Sequence, residues 1–147
     1  MRRLARLHKP VSLRTFATKP APRHNLSTQV ATQATVTVDM EPSDDISSGA
    51  MYSWRVRAVH DALRKRGKAT GPLGIDDLCS LGHLDQYHYL GLEACDDVAD
   101  TLNLGPGSTL LDVGSGIGGP ARYLAATTGC RAIGVELQAE LCDAATE

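Results

Sequence analysis

Residues 109–136 constrain this chain more than any other stretch. Thr109-Leu110-Leu111-Asp112-Val113 is a short apolar run of the kind that forms a buried parallel strand. A glycine-rich loop follows over residues 114–119, and Pro120 stands where the first turn of a helix accepts it. Ala121, Leu124 and Ala125 give that helix a small apolar face, and Gly129 is placed to end it. Ala132-Ile133-Gly134-Val135 reads as a second buried strand with Glu136 at its carboxyl end. Strand, glycine loop, helix, strand, acid is a nucleotide-binding βαβ unit, so the fold class is α/β with a doubly wound, Rossmann-like sheet. The glycines let a ligand approach the backbone over the helix N-terminus.

The loop alone leaves the ligand open, because Gly114-Ser115-Gly116-Ile117-Gly118-Gly119 satisfies both G-x-G-x-G and G-x-G-x-x-G. Asp112, two residues before the first glycine, decides between them. A dinucleotide would bring its pyrophosphate close to that carboxylate, and like charges at short range repel. S-adenosylmethionine carries an ammonium and a sulfonium and no phosphate, so an acid at the strand end attracts it. The second acid, Glu136, follows Gly118 by 18 residues. At that spacing one carboxylate accepts both hydroxyls of a ribose. The loop therefore reads as a methyl-donor site, with a dinucleotide-binding oxidoreductase and a ligand-free glycine turn as the alternatives.

Upstream, the chain divides by composition. Seven Lys and Arg precede residue 39 with no Asp or Glu among them, whereas the remainder has 8 basic residues against 17 acidic ones. An acidic body argues against nucleic acid as a partner. Leu4, Leu7 and Val11 recur at helical spacing among Arg2, Arg3 and Arg6, and Arg14-Thr15-Phe16-Ala17 resembles a processing site. This Arg-rich, acid-free leader is expected to be a mitochondrial transit peptide. Plastid import is the alternative address because Ser27, Thr28, Thr32, Thr35 and Thr37 follow, and a disordered basic tail is the plainer reading. Residues 1–46 are thus leader and linker.

Residues 47–104 are expected to form a helical cap segment. Ser47 or Ser48 can start a helix whose apolar stripe is Tyr52, Val56, Val59 and Leu63, ending in Arg64, Lys65, Arg66 and Lys68. Gly71-Pro72-Leu73-Gly74 breaks the pattern. A second helix spans about 92–102, with Leu92, Cys95, Val98, Ala99 and Leu102 on one face and Glu93, Asp96, Asp97 and Asp100 on the other. Gly105-Pro106-Gly107 turns the chain into the binding unit, which runs from 105 to 147. Cys79, Cys95, Cys130 and Cys142 form no Cys-x-x-Cys pair, so buried thiols are expected and no metal site. No run of about 18 apolar residues would span a membrane.

Residues 110–125, Leu-Leu-Asp-Val-Gly-Ser-Gly-Ile-Gly-Gly-Pro-Ala-Arg-Tyr-Leu-Ala, resemble the first motif of class I S-adenosylmethionine-dependent methyltransferases, type 11. Leu84-Asp85-Gln86-Tyr87-His88-Tyr89-Leu90-Gly91-Leu92-Glu93-Ala94 is similar to a stretch preceding that motif in sarcosine and dimethylglycine N-methyltransferases. Together these cover residues 76–142. The resemblance implies S-adenosyl-L-methionine as cofactor and a small-molecule N, O or C acceptor. It places the donor's amino-acid end near Asp112 and the loop of Gly114, Ser115, Gly116 and Gly118, the ribose on Glu136, and the adenine against Leu137. It also makes Tyr87 and His88 weak candidates for contact with acceptor or sulfonium, His88 as a proton acceptor. The plainer reading has Asp85, Gln86 and His88 bracing a helix start, and Tyr52 and Trp54 as core rather than site wall.

A full class I sheet resembles seven strands, of which two are readable here, so the sheet is expected to be the N-terminal part only. Two parallel strands leave edges unpaired, and marginal stability is expected of them alone. Activity is then expected of a longer chain, with a non-catalytic fragment as the alternative.

Overall fold

The computed structural model describes residues 11–17, 32–38, 53–68 and 72–146. In chain order these hold β1 (Val11–Ala17), β2 (Thr32–Val38), α1 (Ser53–Lys65), α2 (Ile75–Cys79), a 3-10 turn at Gly82–Leu84, α3 (Leu92–Thr101), β3 (Thr109–Val113), α4 (Gly119–Thr128), β4 (Arg131–Glu136) and α5 (Ala139–Ala144).

The βαβ unit forms as its sequence dictates. β3 and β4 pair in parallel, Leu110 opposite Ala132 and Asp112 opposite Gly134, and α4 connects them. Pro120 sits in the first turn of α4, where its missing N–H costs nothing, and Gly129 closes the helix in the left-handed conformation. The residues between strand pair and helices are small. Ala121, Ala125, Ala132, Cys142 and Ala145 form one buried cluster with Leu110 against it, so α4 and α5 lie close on one sheet face.

The opposite face corrects the expectation of a fully buried strand. Leu111 and Val113 are exposed, Val113 at 75%, and their partners Ile133 and Val135 are half-buried. The helices that bury Leu110 and Ala132 lie on the other face, so the continuous apolar run is covered on one side among the described residues.

A second departure lies at the edge of β4. Residues 1–46 read as leader and linker, yet β1, which takes in Val11 of the expected leader helix and the Arg14–Ala17 processing segment, pairs antiparallel with β2, and β1 also pairs antiparallel with β4 from Arg14 opposite Glu136 to Ala17 opposite Ile133. The sheet order is β2-β1-β4-β3. An open strand edge carries unpaired N–H and C=O groups, and any extended segment in reach satisfies them. Thr32-Gln33-Ala34-Thr35-Val36-Thr37-Val38 is rich in β-branched residues, which favour that state. Residues 2–10 of the leader helix, together with Ser47, Ser48 and Tyr52, lie outside the described residues.

The cap segment is held to this unit by a second core. Val59 and Leu63 of α1 meet Leu81, Leu141 of α5 and Ile117 of the glycine loop, with Val56 at the margin. The helix stripe is therefore core, and the one large residue of the loop points away from the ligand side to join it. Two short elements, α2 and the 3-10 turn, fill a stretch in which no helix was expected. Asp77 starts α2 by accepting the Gly74 N–H at 3.0 Å and pairing with Lys68 at 3.3 Å. On α3 the acids face solvent as expected, but of its apolar face Cys95 is buried while Val98 and Leu102 are exposed. Among the described residues no helix is long and apolar enough to cross a membrane.

Candidate functional site

The turn out of β3 is built for a tight approach. Gly114, Gly116 and Gly118 all have positive φ (78°, 57° and 82°), a conformation that a side chain would strain. The N–H groups of Gly114 and Ser115 both reach the Val135 carbonyl, at 2.8 and 3.1 Å, which ties the loop to the end of β4.

Gly119 has a different task. A Cβ there would overlap the Asp85 carbonyl oxygen and lie 2.8 Å from its carbon, so this last glycine admits the chain at residue 85 rather than a ligand. Asp85 is almost wholly buried. Its Oδ1 accepts from Arg122 at 2.7 Å and its Oδ2 from the Gln86 amide at 3.0 Å. Asp85 and Gln86 thus brace a helix start, as the plainer sequence reading held, but the helix is α4.

The bracing sets the next side chain. With its amide nitrogen on Asp85, Gln86 turns its carbonyl outward, where it takes donors. His88 Nε2 lies 3.2 Å from it and Cys95 Sγ donates to it at 3.5 Å. Against that carbonyl oxygen His88 Nε2 can serve only as a donor. Cys95 is pushed up to about 11 by burial and then by the charges of Asp96, Asp112 and Asp85, so it stays a protonated thiol.

The two acids of the motif differ sharply. Glu136 is buried, and its oxygens accept from the backbone N–H of Gly116 and of Gln138, each at 2.8 Å. Each oxygen keeps a further lone pair. Asp112 has a buried Oδ2 with no hydrogen-bond partner among the described residues, and the Ser115 hydroxyl beside the loop is in the same state. Burial pushes the Asp112 carboxyl above the usual carboxylate range and the Glu136 charge adds to this, while His88 pulls it back. Buried polar atoms without partners within the chain are uncommon, and each calls for a water, an ion or a ligand to complete it. Leu137, next in the chain, is exposed at the rim.

Tyr87 is exposed. Its ring takes the Arg55 guanidinium at 4.3 Å, the His83 ring at 5.0 Å and the edge of Trp54 at 6.4 Å. Trp54 is exposed at 45%, so it is not core. Arg55 was not foreseen in the sequence. It is buried, donates to the Leu84 carbonyl at 2.9 Å, and comes within 3.8 Å of where a Gly116 side chain would begin. The four cysteines are free thiols, and among the described residues no three His, Cys, Asp or Glu side chains gather as a metal site would need.

No curated protein and no solved structure matches the chain. The family model of the histone methylation protein DOT1 matches residues 85–147. The matched stretch runs from the Asp85 brace through the glycine loop to α5. At the coarse level this match supports an S-adenosylmethionine-dependent methyltransferase with a partial Rossmann-like sheet, and it does not choose a subfamily or a substrate.

Proposed function

We propose that this chain holds the donor-binding part of a methyltransferase that uses S-adenosyl-L-methionine to methylate a small-molecule N, O or C acceptor. The observation that carries the reading is the buried, unpartnered Asp112 oxygen at the end of β3, beside a loop of positive-φ glycines. Asp112 takes the donor's ammonium, the Gly114, Ser115, Gly116 and Gly118 loop cradles its amino-acid end, Glu136 takes the ribose, and Leu137 covers the adenine. Bound there, S-adenosylmethionine supplies a methyl group on a sulfonium that any nearby lone pair can attack.

The chain's own part is orientation. Methyl transfer disperses charge rather than creating it, so closeness and alignment supply most of the acceleration, on the order of several kcal/mol. Strong acid–base groups are not required. Where an acceptor must lose a proton, His88 is the candidate to take it, and Tyr87 is the candidate for contact with acceptor or sulfonium. A protein acceptor is the second reading, favoured by the description of the matching family. The basic leader is proposed to direct the chain to the mitochondrion, with the plastid as the alternative.

Calorimetric titration of the full chain with S-adenosylhomocysteine and with NADH tests the donor assignment. S-adenosylhomocysteine is expected to bind and NADH is not. Preference for NADH would return the loop to the dinucleotide class.

A further inference from the structure

We propose that Gln86 is a positioning residue for His88: clamped by Asp85, its side-chain oxygen makes Nε2 the donor nitrogen of the imidazole and leaves Nδ1 for the proton of the methyl acceptor. This rests on the donor reading above and on His88 as the candidate proton acceptor.

Gln86 and Asp85 are each only 1% exposed. A buried amide has to find partners for its nitrogen and its oxygen without help from bulk water, and at Gln86 the order of the two is forced. Its Nε2 donates to Asp85 Oδ2 at 3.0 Å. Turned over, the amide would set its oxygen against a carboxylate with no proton between them. Asp85 is itself fixed, because its other oxygen takes Arg122 at 2.7 Å. Arg122 in turn donates to the Ile117 carbonyl of the glycine loop. A continuous chain of hydrogen bonds thus runs from the loop through Arg122, Asp85 and Gln86 to His88.

At the far end of that chain the Gln86 oxygen meets His88 Nε2 at 3.2 Å and Cys95 Sγ at 3.5 Å. The thiol sulfur also lies 3.8 Å from His88 Nε2. With its own proton directed to Gln86, it offers the ring lone pairs, which again suits a proton on Nε2. A neutral imidazole that donates from one ring nitrogen accepts at the other, so Nδ1 is then bare. Both groups on the Gln86 oxygen lie within electrostatic reach of Asp112, since His88 favours the Asp112 carboxylate and Asp112 disfavours the Cys95 thiolate. In the transfer itself, Nδ1 accepts the proton of an acceptor N–H or O–H. The acceptor's lone pair bonds the methyl carbon, and the electrons of the broken carbon–sulfur bond stay on sulfur, which leaves as a neutral thioether.

Nitrogen NMR of the full chain with isotope-labelled histidine tests the assignment, read above the pH range in which imidazole titrates. The chain has five histidines, and His88→Gln identifies the resonances in question. Protonated and bare ring nitrogens resonate far apart. Wild type is expected to show Nε2 protonated and Nδ1 bare. Gln86→Met, which keeps the length and loses the oxygen, should average the two nitrogens, and Gln86→Glu, which keeps an oxygen, should look like wild type. Two donor analogues then separate positioning from bracing. Sinefungin carries an amino group where the sulfonium carries its methyl, and it should move Nδ1 toward the protonated position. S-adenosylhomocysteine has nothing at that point and should leave Nδ1 in place. A merely structural brace would respond to neither. Nδ1 protonated in wild type, a Gln86→Met spectrum like that of wild type, or bound sinefungin that leaves Nδ1 unmoved each overturns the assignment. If Gln86→Met does not fold, Gln86→Glu decides, and loss of the wild-type pattern there overturns it too. If calorimetry finds that neither analogue binds wild type, the donor reading itself falls and takes this assignment with it.

Discussion

Asp85, buried, and Asp112, half-buried, are acids near the same glycine loop, and they stand in opposite states. Asp85, in the cap segment, has each oxygen bonded, one to Arg122 and one to Gln86. Asp112, in the βαβ unit, has a buried oxygen with no partner among the described residues. A carboxylate whose bonds are all made within the chain is a structural part, and removing it costs stability. A carboxylate left short of bonds within the chain costs stability by staying unless water or a ligand completes it.

Breaking Asp85 should have the largest effect. Asp85→Ala leaves the Arg122 guanidinium, itself little exposed, without its counter-charge. Removal of one member of a buried pair costs about 3–5 kcal/mol, or roughly 10 °C in melting temperature for a chain of this size. Thermal unfolding followed by circular dichroism checks it. If Asp85→Ala melts like wild type but no longer binds S-adenosylhomocysteine, the roles given to the two acids are reversed.

Gly119→Ala attacks the same brace from the α4 side and should come next. The added Cβ meets backbone at residue 85, which cannot swing aside as a side-chain end could. The expected cost is about 3 kcal/mol, the upper end of what overpacking usually costs. Undocking of residues 82–90 would carry Tyr87 away from Trp54, the chain's one tryptophan. Tryptophan fluorescence should therefore shift in this variant before global unfolding. An unchanged spectrum together with an unchanged melt would show that the cap does not depend on this contact.

The contrast also marks where sequence reading reaches. The positions of Asp112 and Glu136 at strand ends, of the glycines in the turn and of Pro120 and Gly129 at the helix ends were legible because each is set within a few residues by strand, turn and helix chemistry. Asp85 and Gln86 were legible as bracing, though the partner, Arg122, is 37 positions on and no local pattern points to it. Arg55 left no signal, since an arginine on an amphipathic helix looks like any solvated residue, and its contact with residue 84 spans 29 positions. The β1–β4 pairing escaped for the same reason: strand pairing is chosen by an available edge, and the edge belongs to another part of the chain. The exposed face of Leu111 and Val113 was misread because apolar runs report what a strand can tolerate, while covering it depends on helices elsewhere.

Asp112→Asn should be smaller in stability and opposite in sign. The amide keeps the shape and removes a buried charge, so the melt should stay level or rise slightly, whereas affinity for S-adenosylhomocysteine should fall about 10- to 100-fold, equivalent to about 1.4–2.8 kcal/mol. A variant less stable than wild type with unchanged affinity would make Asp112 another structural acid.

The smallest effect, and the one most specific to Asp112, is its dependence on pH. Burial and the Glu136 charge hold its carboxyl above the usual range in the folded chain, so between the ordinary carboxylate value and that raised one the folded state keeps a proton that the unfolded chain has released. Stability must then fall as pH rises through this window, and the loss is complete above it. Affinity for a ligand that offers an ammonium runs the other way: it is weak while Asp112 is protonated and grows as the carboxylate ionises. Opposed slopes from a single group are hard to imitate, because acids stabilised by pairing lose stability as pH falls. Melting temperature and S-adenosylhomocysteine affinity measured across the acid range should show them, and subtracting the Asp112→Asn curves removes the contributions of the other carboxylates. If the two difference curves slope in the same direction, the proton that matters sits on a different group, and Asp112 is not what meets the ligand.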